Sequence, residues 1–599
     1  MKELEYPFDS EWILKKKKSL KRTLLADGRA RIKKKIAVLG GSTTSDVIAA
    51  LELFLLDSGI EPEFYESEYK QYWQDAVFGN PELDSFAPDI IYIHTTARNV
   101  DFTPNVRMSE EEITSALEER FSRLEQMWQA LGRFHCPVIQ NNFELPFFRL
   151  LGSRDAYDPH GLSNFIGRLN EKMYAYACSH EGFYINDINW LAANIGLEKW
   201  ADTKYWYMFK YAMALEAIPP LAYQLCAVIR SLFGKNKKVI AVDLDNTMWG
   251  GIVGDDGAEN LEIGQETGTS QAFYEFQQYV KAHKDLGILL TVCSKNEEEN
   301  ALAGLDHPEG AVRPDDFTLI KANWEPKSIN LENTAQELSL MPDSIVFADD
   351  NPAEREIVRQ QTPCAVPEIG EVTDYIRVLD RSQYFEVTTL SADDLKRGEM
   401  YKANIQRAQA QAKFASYTDY LLSLEMIGEI APFRDVYLAR IAQLTNKSNQ
   451  FNLTTLRCTQ EQMADFAASP DHITQYGKLV DKFGDNGVVS VVVGQRSKHP
   501  AAGEECLELI LWLMSCRVLK RDMELAMLDG IVKQAKAAGY TKLVGKYLPT
   551  AKNKMVKDFY PDTLGFSLVS ASEDGSTVWE LDISDYEDKN HVIKVTDRI

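Results

Sequence analysis

The sequence predicts a multidomain α/β protein built on parallel sheets, followed by an α+β C-terminal part. Its 599 residues exceed what one hydrophobic core normally serves, so about two to four domains are expected. Apolar runs such as Ile36–Leu39, Ile90–Ile93 and Val239–Val242 alternate with helical patterns, which indicates parallel strands joined by crossover helices. The character of the chain changes again near residue 390, where the α+β part is expected to begin.

Composition and charge narrow the class of protein. Hydrophobic content of 45% and charged content of 26% are ordinary for a soluble globular chain. The net charge of −24 argues against nucleic acid or an anionic membrane as a partner. No apolar run is long enough to cross a membrane, and the eight cysteines are scattered without a CxxC pair. A cytoplasmic protein with reduced thiols is therefore expected.

The central motif is KVIAVDLDNTMWGGIVGDDG at 238–257. Its strand Val239–Val242 delivers Asp243 and Asp245 to one rim of a sheet. Two neighbouring buried carboxylates need a compensating cation, and hard oxygen ligands favour Mg²⁺. Alone, such a pair would more often cap a turn.

Three further elements follow this motif in order along the chain. A second apolar run at 287–294 ends in Ser294, Lys327 lies in NWEPKS, and a third run ends in Asp349 and Asp350. This order of DxDxT, Ser, Lys and DD resembles the haloacid dehalogenase (HAD) phosphatase superfamily. The resemblance implies a Rossmann-like domain at 235–385. It should lack a large cap, because the Gly-rich flap Trp249–Gly264 and the 32 residues between Ser294 and Lys327 are too short to hold one.

Phosphoryl transfer needs a nucleophile, a proton donor and neutralised charge. We expect Asp243 to be the nucleophile and Asp245 the acid/base, with Thr247, Ser294 and Lys327 holding the phosphoryl oxygens. The predicted Mg²⁺ ligands are Asp243, Asp245 through its backbone carbonyl, Asp349 and Asp350. The sequence leaves open which of the last two binds the metal.

The N-terminal part divides into a basic helix or arm at 1–35 and a domain at 36–234. Strand Ile36–Leu39 ends in a Gly-Gly-Ser turn, and a serine at this position resembles the SGNH hydrolase nucleophile. The late DxxH of that fold matches only Asp187–Trp190, where tryptophan replaces histidine. A serine without a base stays a weak nucleophile, so an SGNH-like fold with lost esterase activity is expected at Ser42.

The C-terminal part at 390–590 resembles an acetyltransferase (GNAT) fold. Its strand-like runs at 488–493 and 507–514 precede a helix that ends at Gly539. The helix opening Arg517–Asp522 lacks the glycines that let backbone N–H groups approach a phosphate, which argues against ordinary acetyl-CoA binding.

Longer segments resemble the FkbH-like family. They are DLDNTMWGGIVGDDG at 243–257, VCSKN at 292–296, VFADDNPAER at 346–355, LTNKSNQFNLTT at 444–455 and DKFGDNGVV at 481–489. The resemblance implies acyl (glyceryl-like) transfer from a phosphorylated small molecule such as 1,3-bisphosphoglycerate to an acyl carrier protein. A cysteine would suit such an intermediate, with Cys293 the first candidate and Cys516 the second.

Two other functions remain open at this point. One is a plain Mg²⁺-dependent phosphomonoesterase whose flanking domains select the substrate. The other is a scaffold that binds a carrier protein through a degenerate phosphatase, against which the intact DxDxT, Ser, Lys and DD elements argue.

Overall fold

A computed structural model describes residues 1–411, 413–448, 450–501, 503–550 and 552–597, with the side chains of residues 392, 393, 447 and 516 outside this description. The chain divides into two compact units, unit 1 at residues 1–230 and unit 2 at residues 231–599. The predicted multidomain α/β class with parallel sheets is confirmed.

Unit 1 contains a five-stranded parallel sheet in the order β2-β1-β3-β4-β5. The strands are β1 (Ile32–Gly40), β2 (Ile60–Glu66), β3 (Ile90–His94), β4 (Val138–Asn141) and β5 (Phe183–Asn186). The helices are α1 (Ser10–Ala26), α2 (Ser45–Asp57), α3 (Tyr72–Val77), α4 (Pro81–Phe86), α5 (Glu110–Leu131), α6 (Leu162–Ser179), α7 (Ile188–Ile195), α8 (Leu197–Trp200), α9 (Thr203–Phe209) and α10 (Ile218–Leu232). The strand order changes direction between β1 and β3, which is where parallel sheets open a crevice.

The basic N-terminal segment forms helix α1. Its apolar residues Ile13, Leu20 and Leu24 are buried, while Lys15, Lys16, Lys18 and Lys21 are exposed. Lys21 pairs with Glu52 of α2 at 2.7 Å. The segment is therefore an amphipathic helix packed on unit 1, and the sheet begins at Ile32.

The first sheet of unit 2 is parallel, with four strands in the order β8-β7-β6-β9. The strands are β6 (Val239–Val242), β7 (Leu289–Ser294), β8 (Leu319–Ala322) and β9 (Ile345–Ala348). The helices are α11 (Val253–Asp256), α12 (Gly268–Asp285), α13 (Glu298–Leu305), α14 (Lys327–Glu337), α15 (Pro352–Gln361) and α16 (Tyr375–Arg381). Alternate residues of β6 enter two apolar cores, Ile240 and Val242 on one face and Val239 and Ala241 on the other.

The second sheet of unit 2 has eight strands in the order β15-β16-β14-β13-β12-β11-β10-β17. The strands are β10 (Ile427–Ala431), β11 (His472–Asp481), β12 (Gly484–Lys498), β13 (Glu505–Met514), β14 (Lys542–Tyr547), β15 (Ser567–Ala571), β16 (Thr577–Asp582) and β17 (Lys594–Thr596). The helices are α17 (Ala392–Leu395), α18 (Arg397–Gln411), α19 (Tyr417–Ser423), α20 (Asp435–Lys447), α21 (Gln460–Ala468) and α22 (Met523–Ala537).

An opening between β13 and β14 is filled by the chain itself. These parallel strands pair over only three residues each and then diverge. The segment at 451–453, which we call the insert, makes hydrogen bonds on both sides of this opening. On the β13 side, the Met514 N–H donates to the Phe451 carbonyl at 3.0 Å and the Leu453 N–H donates to the Trp512 carbonyl at 3.1 Å. Just beyond β14, the Leu548 N–H donates to the Leu453 carbonyl at 2.9 Å. The insert thereby satisfies backbone groups that the divergence would leave without partners.

Helix α18 is shared by both parts of unit 2. Tyr401 is buried in the apolar core beneath β6 and β7, and Ile405 packs against that core. Arg407 makes a bidentate contact with Asp481 of β11, at 2.8 and 2.6 Å. Because its two faces serve different sheets, α18 joins the two parts into one folding unit.

The insert is held in place by Asn553. This fully buried side chain donates to the carbonyls of Asn452 at 3.0 Å and Leu548 at 2.9 Å, and accepts from the N–H of Thr550. We expect Asn553→Ala to lower the free energy of unfolding by about 1–3 kcal/mol, because buried carbonyls lose their donor. Thermal unfolding and faster hydrogen exchange at residues 450–456 should report the loss.

The exposed Lys554 provides the matched control for this experiment. Lys554→Ala should change neither quantity, since no buried group depends on it. Equal effects of the two substitutions would show that the Asn553 contacts do not hold the insert.

Candidate active site

The carboxyl ends of β6, β7 and β9 bring the predicted site residues together. Asp243 directly follows β6, Ser294 ends β7, and Asp349 directly follows β9. Lys327 opens helix α14 and reaches the same edge. Strand β6 lies where the strand order changes direction, between β7 and β9, and such a point is the usual ligand crevice of a parallel sheet.

The ammonium group of Lys327 bridges two of the carboxylates. Its Nζ lies 2.9 Å from Asp243 Oδ2 and 2.6 Å from Asp349 Oδ2. The side chain is 4% exposed, so solvent screens these contacts little. Burial works against the charged amine, but the charges of Asp243 and Asp349 outweigh it and raise the pKa of Lys327.

Asp243, Asp349 and Asp350 form a compact group of oxygen donors. One carboxylate oxygen from each lies within 4.8 Å of the other two. Burial, reinforced by the charge of Asp243, raises the pKa of Asp349 to about 6, and the same two causes raise the pKa of Asp350. Three hard oxygen donors around one point match the ligand preference of Mg²⁺, so the residues present fit this ion.

Asp245 is held apart from this group by three donors. Its Oδ1 accepts from the Trp249 indole N–H and the Val253 backbone N–H, both at 3.0 Å, and its Oδ2 accepts from Asn296 at 3.0 Å. Burial is the main cause that raises the pKa of Asp245, and the nearby charge of Asp243 adds to it. The carboxyl group is therefore fixed in orientation and biased towards its protonated form.

Thr247 and Ser294 complete the set predicted to hold phosphoryl oxygens. The Thr247 hydroxyl donates to Asp350 Oδ1 at 3.2 Å and accepts from the Asp350 N–H at 3.0 Å. Ser294 is 1% exposed at the end of β7. Thr247 thus connects the β6 turn to the β9 turn, and Ser294 lies at the same edge.

Residues not singled out from the sequence support this geometry. Arg355 donates to the backbone carbonyls of Asp349 at 2.7 Å and Asp350 at 2.6 Å, which fixes the turn after β9. The Tyr375 hydroxyl donates to the Asn246 carbonyl at 3.0 Å. Asn296 and Arg355 lie inside the family-like segments VCSKN and VFADDNPAER, so the sequence could have pointed to them. Tyr375 lies in no such segment.

The catalytic role predicted for Cys293 is not supported by its position. Strand β7 continues through Ser294, so the two side chains leave opposite faces. Cys293 is 1% exposed, packs in an apolar core, and its Sγ lies 3.5 Å from the Lys327 carbonyl. Burial raises the pKa of its thiol, which makes it a poor nucleophile. The side chain of Cys516 lies outside the described residues.

The site has no large cap. The intervals 246–267 and 295–326, all described, hold only a short turn structure with α11 and then α13 and β8. Trp324 stands at this rim, 68% exposed, with its indole N–H bonded to Glu297 at 2.6 Å.

In unit 1, Ser42 lies in the crevice beside β1 without a base. It is 2% exposed, and its hydroxyl has no hydrogen-bond partner among the described residues. Asp187 accepts from Asn142 at 2.6 Å and from the Trp190 N–H at 3.0 Å, so it caps α7. His94 bonds to Tyr92 at 2.9 Å, and burial lowers its pKa to about 4.

The turn at Arg517–Asp522, predicted to be unsuited to a pyrophosphate, is covered by α18. Arg521 bonds to Asn404 of α18 at 2.7 Å and to Asp481 at 3.1 Å, and Arg517 contacts the Met400 sulfur. The arginine side chains of this turn are therefore engaged by α18 and β11.

Several solved acetyltransferases are similar to part of the chain. A putative acetyltransferase (yncA) from Salmonella typhimurium with acetyl-CoA is 12% identical, covers 26% of this chain and 95% of its own, and has a TM-score of 0.21. A GNAT-family acetyltransferase from Streptococcus pneumoniae is 15% identical, covers 26% of this chain and 99% of its own, with a TM-score of 0.21. No activity is inferred from these likenesses. Among curated proteins, none matches the chain.

Two stronger findings concern the N-terminal and central parts. Residues 35–230 match the family model described as FkbH, N-terminal domain. The N-terminal part of the protein BF1531 from Bacteroides fragilis, containing a phosphatase domain complexed with Mg, is 28% identical, covers 62% of this chain and 99% of its own, and has a TM-score of 0.58. Within the described residues, no helix has the length and apolar character needed to cross a bilayer. The resemblance of the chain to the FkbH-like family is thus confirmed.

Proposed function

We propose that unit 2 is a Mg²⁺-dependent phosphatase that acts through Asp243. The observation that carries this proposal is the contact of Asp243 with the buried Lys327 ammonium, beside the oxygens of Asp349 and Asp350. A cation and a group of carboxylates at the rim of a parallel sheet suit the stabilisation of a phosphoryl group during its transfer. The similar BF1531 fragment, which contains a phosphatase domain complexed with Mg, supports the same reading.

The chemistry follows from the two aspartates of the motif. An Asp243 oxygen attacks phosphorus, the bond to the leaving-group oxygen breaks, and Asp245 gives that oxygen its proton. Water then attacks the aspartyl-phosphate, Asp245 takes the proton back, and phosphate leaves with Asp243 regenerated. The bonded Trp249, Val253 and Asn296 keep Asp245 pointing in one direction during both steps.

The remaining residues of the site would bind the phosphoryl oxygens and neutralise their negative charge. Lys327 is placed to bind a phosphoryl oxygen while it orients Asp243, and Ser294 and Thr247 offer hydroxyl donors at the same edge. A Mg²⁺ ion held by Asp243, Asp349 or Asp350 and the Asp245 carbonyl would neutralise the negative charge that develops on the transferred group. Arg355 keeps the Asp349–Asp350 turn fixed for this purpose.

We further propose that phosphate removal is coupled to acyl transfer from a donor such as 1,3-bisphosphoglycerate to an acyl carrier protein. The FkbH-like resemblance and the uncapped rim support it, since a carrier-bound acceptor needs open access. The alternative is a plain Mg²⁺-dependent phosphomonoesterase. Mass spectrometry of the protein after incubation with 1,3-bisphosphoglycerate distinguishes the two functions.

The first prediction concerns the nucleophile. Asp243→Asn should abolish Mg²⁺-dependent phosphate release, with a loss of several powers of ten, each worth about 1.4 kcal/mol of barrier. The fold should persist, because the amide is close in size to the carboxylate. Phosphate release from a chromogenic monoester and circular dichroism measure the two quantities.

Asp255, an exposed carboxylate of helix α11, is the matched control for this substitution. Asp255→Asn should release phosphate at the unmodified rate. More than about a tenth of that rate in Asp243→Asn would remove Asp243 from the role of nucleophile.

The second prediction concerns pH and metal binding. The pKa of Asp349 is raised to about 6, so below that pH a proton competes with Mg²⁺ for its carboxylate. Affinity for Mg²⁺ should be constant above about pH 7 and fall by up to about tenfold per pH unit below pH 6. Calorimetric titration of substrate-free protein between pH 5 and 8 measures it.

Asp349→Asn tests the assignment of this pH dependence. The variant should bind Mg²⁺ weakly at every pH and lose most of the slope, whereas Asp255→Asn should keep both affinity and slope. An unchanged profile in Asp349→Asn would place the competing proton elsewhere.

The third prediction concerns the acyl group. Incubation with 1,3-bisphosphoglycerate should give a covalent adduct of glyceryl mass that a carrier protein removes. Because Cys293 is buried, Cys293→Ala should leave both this adduct and phosphate release unchanged within a few-fold. Peptide mapping locates the adduct. If no adduct forms and no carrier is acylated, the phosphomonoesterase reading stands alone.

A further inference from the structure

An ion pair connects the chain segments on the two sides of Asp243. Strands β7 and β9 both pair with β6, so their carboxyl ends flank Asp243, the residue that follows β6. Lys295 comes directly after β7, and Glu354 lies in the first turn of α15, which follows β9. Lys295 Nζ lies 2.6 Å from Glu354 Oε1. This contact therefore joins the β7 and β9 ends of the candidate active site.

The contact has to span the width of one strand. Neighbouring strands lie about 4.8 Å apart, so the ends of β7 and β9 are separated by about 10 Å, with β6 between them. The long side chain of Lys295 and the carboxylate of Glu354 bridge this separation. The ammonium group of Lys295 is thus held between the two segments that carry Ser294 and Asp349.

Lys295 is the cation of this site that solvent can reach. Four described segments form the site: residues 243–257, 292–299, 322–328 and 346–355. They contain three cationic residues, of which Lys327 is 4% exposed and bound to carboxylates, and Arg355 is buried against backbone carbonyls. The Lys295 side chain is 39% exposed. A ligand that enters from solvent can therefore contact its ammonium group.

Carboxylates outnumber cations in the same four segments. Glu297, Glu298 and Glu299 are exposed close to Lys295, and Glu325 is exposed in the segment after β8. Mg²⁺ and Lys327 would offset this charge for the phosphoryl group that is transferred. A second anionic group on the same substrate would be repelled, unless another cation faced it.

We propose that Lys295 is a specificity residue that recognises a second anionic group, a carboxylate or a phosphoryl group, on the leaving part of the substrate. The proposal rests on the phosphatase function proposed above. Glu354 holds the Lys295 ammonium group in the substrate-free protein, and the anionic group of the substrate takes the place of Glu354 on binding. A partly exposed ion pair adds little to stability, so the exchange meets little resistance.

Two matched esters test the proposal on the full-length protein with Mg²⁺. Phosphoglycolate carries a carboxylate where ethyl phosphate carries a methyl group. Lys295→Gln should lower kcat/KM for phosphoglycolate about tenfold more than for ethyl phosphate, because only the first ester loses a charge-assisted hydrogen bond. Lys295→Arg, which keeps the charge, should retain most of the preference. The bisphosphate of ethylene glycol, as a third ester, shows whether a phosphoryl group is preferred to a carboxylate as the second anion.

Glu354→Gln should act in the opposite direction. Without the carboxylate that competes for Lys295, kcat/KM for phosphoglycolate should rise several-fold relative to that for ethyl phosphate. Lys321→Gln is the matched control, since it breaks an ion pair between β8 and Glu337 in the last turn of α14. This control should leave the ratio of the two kcat/KM values unchanged.

Binding of phosphonates separates this proposal from the phosphatase function. 3-Phosphonopropionate and propylphosphonate have the shapes of phosphoglycolate and ethyl phosphate, but their carbon–phosphorus bonds are not hydrolysed. Calorimetry on the Mg²⁺-loaded protein should show tighter binding of the phosphonate with the carboxylate, and Lys295→Gln should reduce that advantage about tenfold. If neither ester releases phosphate, the phosphatase function is wrong, while this measurement still decides the role of Lys295.

Three results would overturn the proposal. One is equal affinity of the unmodified protein for the two phosphonates. Another is a loss in Lys295→Gln that is the same for both esters, which would make the ion pair a brace between two segments. The last is a weaker preference for phosphoglycolate in Glu354→Gln.

Discussion

The contact of one buried ammonium with two carboxylates is the constraint on which the phosphatase-like site depends. Without Lys327, the buried carboxylates of Asp243 and Asp349 would face each other without an ammonium group between them, and their mutual repulsion would push the β6 and β9 turns apart. The lysine starts a helix, so its position is fixed by α14 rather than by a loop. Lys327 therefore determines both the positions of the two carboxylates and the balance of charge at this edge of the sheet.

Much of this arrangement could be predicted from the sequence because it is local. Asp243, Ser294 and Asp349 each end an apolar run, and parallel strands bring such ends to one edge. The absence of a cap followed from interval length alone. The position of Asp245 at this edge could be predicted from the sequence, but its three hydrogen-bond donors could not. Trp249, Val253 and Asn296 approach it only after the turn has folded.

Other features could not be predicted because they depend on distant parts of the chain meeting. The amide-rich stretch at 444–455 was recognisable, but its insertion between diverging strands requires β13 and β14, which lie about sixty and ninety residues on. Cys293 is a different case. Its place next to Ser294 in the sequence suggested a shared site, but neighbouring residues of a strand point to opposite faces, and Cys293 lies in the apolar core.

Helix α18 restricts how this protein can be divided or recombined. A fragment ending near residue 385 would lack Tyr401 and expose the apolar core beneath β6 and β7, whereas a fragment beginning after the helix would leave Asp481 without its arginine. Exchange of either half between relatives would have to carry the helix and both of its faces.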